Sequence, residues 1–132
     1  MQSLTLTVLM PHRCLSPNSR AHWARKVKHR QAARLDATQA LAASLGGRPP
    51  PRWALIRFDV LVRGPGPRMD DDNVTGILKA TRDQLAQELG VNDRAFRIGE
   101  ARFERVGHRR SKHHPIADPT TVTITLSERT EA

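Results

Sequence analysis

The densest group of carboxylates in this 132-residue chain is Asp70-Asp71-Asp72, followed by Asn73, in a protein of formal net charge +9. Arg68 precedes the run, and Lys79 and Arg82 follow it. Two roles fit these residue types. Asp and Asn are favoured helix N-caps, and acidic side chains in a first turn suit the helix dipole. One Asp satisfies that role, whereas three adjacent ones repel each other and resist full ionisation. A hard divalent cation relieves the repulsion: magnesium takes oxygen ligands, commonly one or two carboxylates completed by water and phosphate oxygens. The residues alone leave cap and metal site both open. A further carboxylate, Asp93, stands beyond the apolar positions Val74, Leu78, Thr81, Leu85 and Leu89.

Asp70-Asp71-Asp72-Asn73 resembles the Asp-x-Asp-Asn motif of the RusA family of Holliday junction resolvases, endonucleases of bacteria and their phages. Other features are similar and in the same order: Ser16-Pro17-Asn18 before a basic helical run, a helix after the acidic motif, and Asp93 soon after Gly90. The likeness runs roughly from Leu4 to Leu126, and its specific part is the acidic motif with Asp93. It implies a dimeric, Mg²⁺-dependent endodeoxyribonuclease of DNA recombination and repair, acting on branched DNA by paired nicks. Asp70, Asp72 and Asp93 would bind the metal, with Mn²⁺ as the alternative ion. One position departs from the pattern, because the family's Lys three residues after the Asn is Gly76 here. On a helix Asp72, Gly76 and Lys79 share a face. Lys79 is therefore the candidate substitute, about 10 Å along the axis from Asp72 at ~1.5 Å per residue, to stabilise the scissile phosphate or leaving oxygen. Asn73 reads as orienting the acidic turn. The alternative is a non-catalytic DNA-binding protein whose acidic turn is only a cap.

The excess of Lys and Arg points to a polyanionic partner, since neutralising phosphates releases counterions. Arg20, Arg25, Lys26, Lys28 and Arg30 crowd one stretch in which no acidic residue occurs before Asp36, so pairing along a helix does not account for them. With Arg68, Arg82, Arg109, Arg110 and Lys112 they are the candidate DNA contacts. No long apolar run or lipidation signal favours a membrane, and the N-terminus lacks the pattern of a signal peptide. A cytoplasmic protein is expected. Cys14 is the sole cysteine, which excludes a disulfide framework and a Cys-based zinc site, and it reads as a small apolar residue. The stretch from His108 to His114 lacks Cys partners and helical His spacing, and reads as a phosphate-binding loop rather than a zinc site. Trp23 and Trp53 read as core or interface residues.

The scaffold follows from periodicity. Leu4, Leu6, Val8 and Met10 alternate as a strand ended by Pro11. Asn18 or Ser19 caps a helix from about Arg20 to Leu45, with Trp23, Val27, Leu35, Leu41 and Leu45 inward, stopped by Gly46-Gly47. Ile56, Phe58, Val60 and Val62 form a second strand, ended by Gly64-Pro65-Gly66-Pro67. A second helix spans about Asp72 to Leu89 with the apolar stripe above, closed by Gly90. Ile98 to Val106 is a strand with a bulge near Gly99 and with Ala101 and Phe103 inward. Val122, Ile124 and Leu126 form the last strand, and Glu128 to Ala132 a frayed tail. The fold class is α+β, one domain of order β-α-β-α-β-β, with a small mixed sheet and two helices, RusA-like by the resemblance. At 38% hydrophobic and 4% aromatic residues the core is modest, which favours a homodimer. A helix running about 24 Å from Asn73 to Leu89 keeps Asp93, at most about 14 Å beyond it, from its own acidic turn. A two-fold pairing of that helix with its copy is expected to complete each site with Asp93 of the partner.

Overall fold

The computed structural model describes residues 3–129. Strands β1 (Ser3–Leu9), β2 (Ile56–Gly64), β3 (Phe96–Arg105) and β4 (Thr121–Glu128) form one sheet in the order β1-β4-β2-β3. β4 runs antiparallel to β1 and to β2, and β2 runs parallel to β3. β1, β2 and β3 therefore point the same way, in the expected mixed sheet. Alternation decides the inward face: Leu4, Leu6 and Val8 of β1, Ile56, Phe58, Val60 and Val62 of β2, and Val122, Ile124 and Leu126 of β4 are buried in one core. β3 lies at the sheet edge, and only Phe96 of it is buried, with Ala101 and Phe103 half-buried. It starts at Phe96 rather than Ile98. The expected bulge is present, since between the pairs Phe58–Ile98 and Val60–Ala101 the single residue Asp59 faces both Gly99 and Glu100. Asp59 fills the gap by accepting the Glu100 amide at 2.7 Å.

Helix α1 spans Trp23–Leu45 and ends at Gly46 in the left-handed conformation. It starts at Trp23, not Arg20, because His22 takes the cap by accepting the Ala24 amide at 3.2 Å. Ser19 instead accepts the Ala21 amide at 3.2 Å in a local turn that competes with helix. The Leu9 amide at the end of β1 donates to Asp36 at 2.9 Å, and Ser44 donates to the Thr5 carbonyl at 3.0 Å. The helix thus runs back along β1 from Asp36 onward. Everything before Asp36, about 20 Å of helix at ~1.5 Å per residue, projects past the end of the sheet. Trp23 (69% exposed), Val27 and Leu35 are consequently outside, contrary to the expectation from size, and the inward face is Ala33, Ala37, Leu41 and Leu45. Trp53 is buried in the core.

The second expected helix is two, so the described residues hold three α-helices. α2 (Asp71–Ile77) and α3 (Lys79–Leu89) are separated at Leu78, whose φ of −90° and ψ of 5° leave the helical region. Val74, Leu78, Thr81, Leu85 and Leu89 are nonetheless all buried, and Gly90 closes α3 in the left-handed conformation. α1 and α3 lie side by side in parallel, joined by Arg34 to Gln84 at 3.1 Å and Thr38 to Glu88 at 3.1 Å. Glu128, expected in the tail, pairs with Ile56 in β4, and the Arg129 amide donates to the Leu55 carbonyl. The rest of the expected tail, 130–132, lies outside the described residues. Among the described residues no helix is long and apolar enough to cross a membrane.

Candidate metal and nucleic-acid site

The carboxyl ends of the three co-directional strands gather the segments that carry charge. β1 leads into residues 10–22, β2 into the acidic turn, and β3 into residues 106–120, which cross the end of β2 to enter β4. Backbone bonds knit this end together: Met10 donates to the Thr120 carbonyl at 2.9 Å and Val106 to that of Gly64 at 3.0 Å. Gly64 is required where strands and crossing loop meet, because a Cβ there would collide with Thr120. In open sheets the carboxyl ends of parallel strands are where ligands are bound.

Within this end the two short motifs, 57 residues apart from Ser16 to Asn73, come into contact. Asn73 Oδ1 accepts from Ser16 Oγ at 3.4 Å and from Asn18 Nδ2 at 3.3 Å. Between those two donors the Pro17 ring packs on Gly76 so closely that a Cβ at 76 would overlap it. Asn73 therefore fixes the acidic turn against the loop. Asp70 is the N-cap residue of α2 but its side chain makes no capping bond. Asp70, Asp71 and Asp72 are exposed, and their carboxylates are not among the hydrogen-bonding or ion-pairing groups of the described residues. The side-chain capping bond is thus not made, while Asp71 and Asp72 occupy the first turn of α2, where their charge suits the helix dipole.

Asp93 lies elsewhere. It opens a single 3₁₀ turn, Asp93–Ala95, just before β3, and β3 begins opposite the first residue of β2, Phe96 beside Ile56. The acidic turn follows the last residue of β2. The two carboxylate positions thus flank opposite ends of a parallel pair spanning roughly 26 Å at ~3.3 Å per residue. Among the described residues Asp70, Asp72 and Asp93 do not form a convergent cluster within one chain. Lys79 is also placed differently from expectation. The break at Leu78 ends the common helix on which it was to face Asp72, and its ammonium sits 3.0 Å from Asp83.

The basic residues divide. Arg20, Arg25, Lys28 and Arg30 are exposed on or beside the projecting part of α1, and Arg68, Arg110 and Lys112 are exposed at the same end of the sheet. Four have structural partners or surroundings, Arg25 through His12 at 3.4 Å. Lys26 donates to the Ser19 carbonyl at 3.0 Å, and Arg109 to that of Pro65 at 2.8 Å, tying the crossing loop to the turn before the acidic motif. Arg82 runs among Phe58, Val60, Val74, Leu78 and Ile98, with its Nε buried and unpartnered.

No family model matches the chain. Over 100 residues, 73% of this chain, it is 38% identical to an uncharacterized protein of Xylella fastidiosa (strain Temecula1 / ATCC 700964). The aligned part is 63% of that protein's length.

Cys14 is not isolated in space. It is buried, and it brings a thiol within 4.8 Å of donor atoms of His12 and His29. The two imidazoles stack face to face, centroids 4.0 Å apart and planes 17° from parallel, so one ion cannot lie in the plane of both rings. His12 Nδ1 accepts the Cys14 amide at 3.0 Å, and the Arg25 guanidinium stands 3.4 Å from Nε2. Burial, then the charges of His29, Arg25 and Arg13, hold His12 below the usual imidazole range. This group ties residues 12–14 to α1 as packing.

Proposed function

We propose that this protein is a Mg²⁺-dependent, structure-specific endodeoxyribonuclease of RusA type that acts on branched DNA, with each active site completed by a second copy of the chain. The observation that carries the reading is the junction at Asn73. The acidic motif meets there the Ser16-Pro17-Asn18 stretch, an accompanying feature of the resemblance, and three exposed carboxylates stand beside a projecting, cation-rich helix. Asp70 and Asp72 would hold the metal, a donor set of carboxylates that suits magnesium or manganese. Such an ion supplies an activated water and charge stabilisation at phosphorus. The chain's own groups do the rest. Arg20, Arg25, Lys28, Arg30, Arg110 and Lys112 hold the DNA backbone through phosphate contacts. Asn73 fixes the direction of the acidic turn, and Lys79 is the candidate donor to the scissile phosphate. Lys79 is largely exposed, and Asp83, which it would leave for a phosphate, also has Arg34 at 4.0 Å.

Asp93 would enter from the partner. Since it flanks the far end of β2, a two-fold axis that sets one chain's acidic turn against the other's Asp93 completes two equivalent sites. Two sites suit paired nicks across a four-way junction. The test is cleavage of a labelled four-way junction by the purified protein with Mg²⁺, compared with EDTA and with a linear duplex. Metal-dependent, junction-selective nicking supports the proposal. Metal-independent binding without cutting would leave a DNA-binding protein instead.

A further inference from the structure

The loop that crosses the end of β2 holds a second constellation. His108, His114 and Asp118 each place a donor atom within 4.8 Å of the others. His108 Nδ1 lies 3.4 Å from Asp118 Oδ2, and His114 Nε2 lies 3.2 Å from Asp118 Oδ1. The backbone is built around this carboxylate. The His108 amide donates to Asp118 Oδ2 at 2.6 Å, and the Asp118 amide returns a bond to the His108 carbonyl at 2.9 Å. Gly107, at φ 85°, makes the turn that allows it. The His108 backbone bond, outweighing desolvation and aided by the two imidazoles, holds Asp118 below the usual carboxylate range. The group is therefore an anion throughout neutral pH.

We propose that His108, His114 and Asp118 form a site for a transition-metal dication of the zinc class, clipping the loop that carries Arg109, Arg110 and Lys112. Two imidazoles and one carboxylate are a donor set for zinc, cobalt or nickel rather than magnesium. In a tetrahedron with bonds of about 2.0–2.1 Å, neighbouring ligand atoms stand about 3.3 Å apart; each imidazole is already at that distance from one oxygen of the Asp118 carboxylate, His108 from Oδ2 and His114 from Oδ1. The ring centroids are 4.8 Å apart and the planes 28° from parallel. The two rings stack in this arrangement, so a shared ion requires the His108 ring, whose side chain is 75% exposed, to turn about its side-chain bonds, whereas His12 and His29 are both half-buried. The fourth ligand position faces solvent. Binding needs each imidazole to turn a lone pair to the ion, so the ring proton sits on the other nitrogen in the bound state.

Cobalt(II) is the probe, because its visible spectrum separates tetrahedral from octahedral coordination and a thiolate ligand adds a near-ultraviolet band. The full chain is expected to bind one Co²⁺ with a tetrahedral spectrum and to release it to Zn²⁺. Asp118→Asn, which keeps an oxygen for the His108 amide, and His114→Ala should each weaken binding by at least about 100-fold, the upper end of what losing a mere outer partner costs. Circular dichroism of both variants should match the parent. Cys14→Ala should leave the tetrahedral Co²⁺ spectrum and its affinity unchanged. A thiolate band lost with Cys14, the tetrahedral spectrum retained in a His108→Ala/His114→Ala double variant, or no tetrahedral Co²⁺ bound at all would each overturn the proposal. The site is separate from the acidic turn, so none of these outcomes bears on junction cleavage, which is scored with Mg²⁺ alone.

Discussion

Replacing Asp72 with Asn preserves shape while removing one anionic oxygen donor, so Asp72→Asn is expected to lower junction cleavage at least about 10²-fold and leave binding equal or stronger. Gel-shift and cleavage assays on the same preparation decide it, and joint loss of both in a folded protein would return the acidic turn to a structural role. Asn73→Ala probes the junction itself. Its two bonds are long, and each contributes about 0.5–1.5 kcal/mol at most, so the melting temperature should change little while single-turnover cleavage falls at least about tenfold. Lys79→Ala is expected to cost about 10²-fold in the same assay, the scale of one lost transition-state donor. An unchanged rate would assign Lys79 to the Asp83 pair alone. At this scale the sequence was informative about which residues lie close together and poor about which way they face. Asn73 was legible as an orienting residue because an amide makes a weak metal ligand beside three carboxylates. Asp118 was missed as a partner of His108 and His114, since only the backbone pairing of His108 with Asp118 closes that loop.

Strand elements were readable because alternation at a period of two leaves little freedom, and even the bulge at Gly99 showed as a slip in the pattern. Helices were harder. The stripe Val74, Leu78, Thr81, Leu85 and Leu89 fits one helix or two equally well, and a one-residue break at Leu78 leaves every inward position inward. In α1 the large apolar residues Trp23, Val27 and Leu35 outweighed the alanines, yet the helix outruns its sheet and alanines make the contact. Gly76 offers a test of the packing between the Ser16–Asn18 loop and α2. By helix propensity alone Gly76→Ala would raise stability by about 1 kcal/mol. Overlap with Pro17 reverses the sign, with an expected loss of about 1–3 kcal/mol read from the denaturant midpoint. Gly76→Lys should be destabilised in the same way, so a lysine at that position is incompatible with this loop as packed.

For the molecule as a whole, DNA affinity should fall with salt at a log–log slope near −0.9 per phosphate contacted. A variant with Arg25, Lys28, Arg109 and Arg110 all neutralised should show a shallower slope, and an unchanged one would move the DNA to another surface. Mixing Asp72→Asn with Asp93→Asn protein under subunit exchange should restore single-strand nicking, because each heterodimer regains one intact site. A site held within one chain predicts no recovery. The sheet order has a consequence for how the chain comes to be folded. β4, the last strand made, is inserted between β1 and β2, pairing Leu4 with Leu126 and Ile56 with Glu128. Until it arrives, β1 and β2 each present an open edge with no neighbour to close it, the condition that invites pairing between chains. Every pairing of β1 with β4 joins residues 112 to 124 positions apart, from Leu9–Thr121 to Ser3–Ser127, so assembly waits on a distant loop closure and is slow for a sheet of this size. A nascent chain released before β4 would have half a sheet and two sticky edges, and chaperone occupancy during synthesis should end only when residues 121–128 have cleared the ribosome.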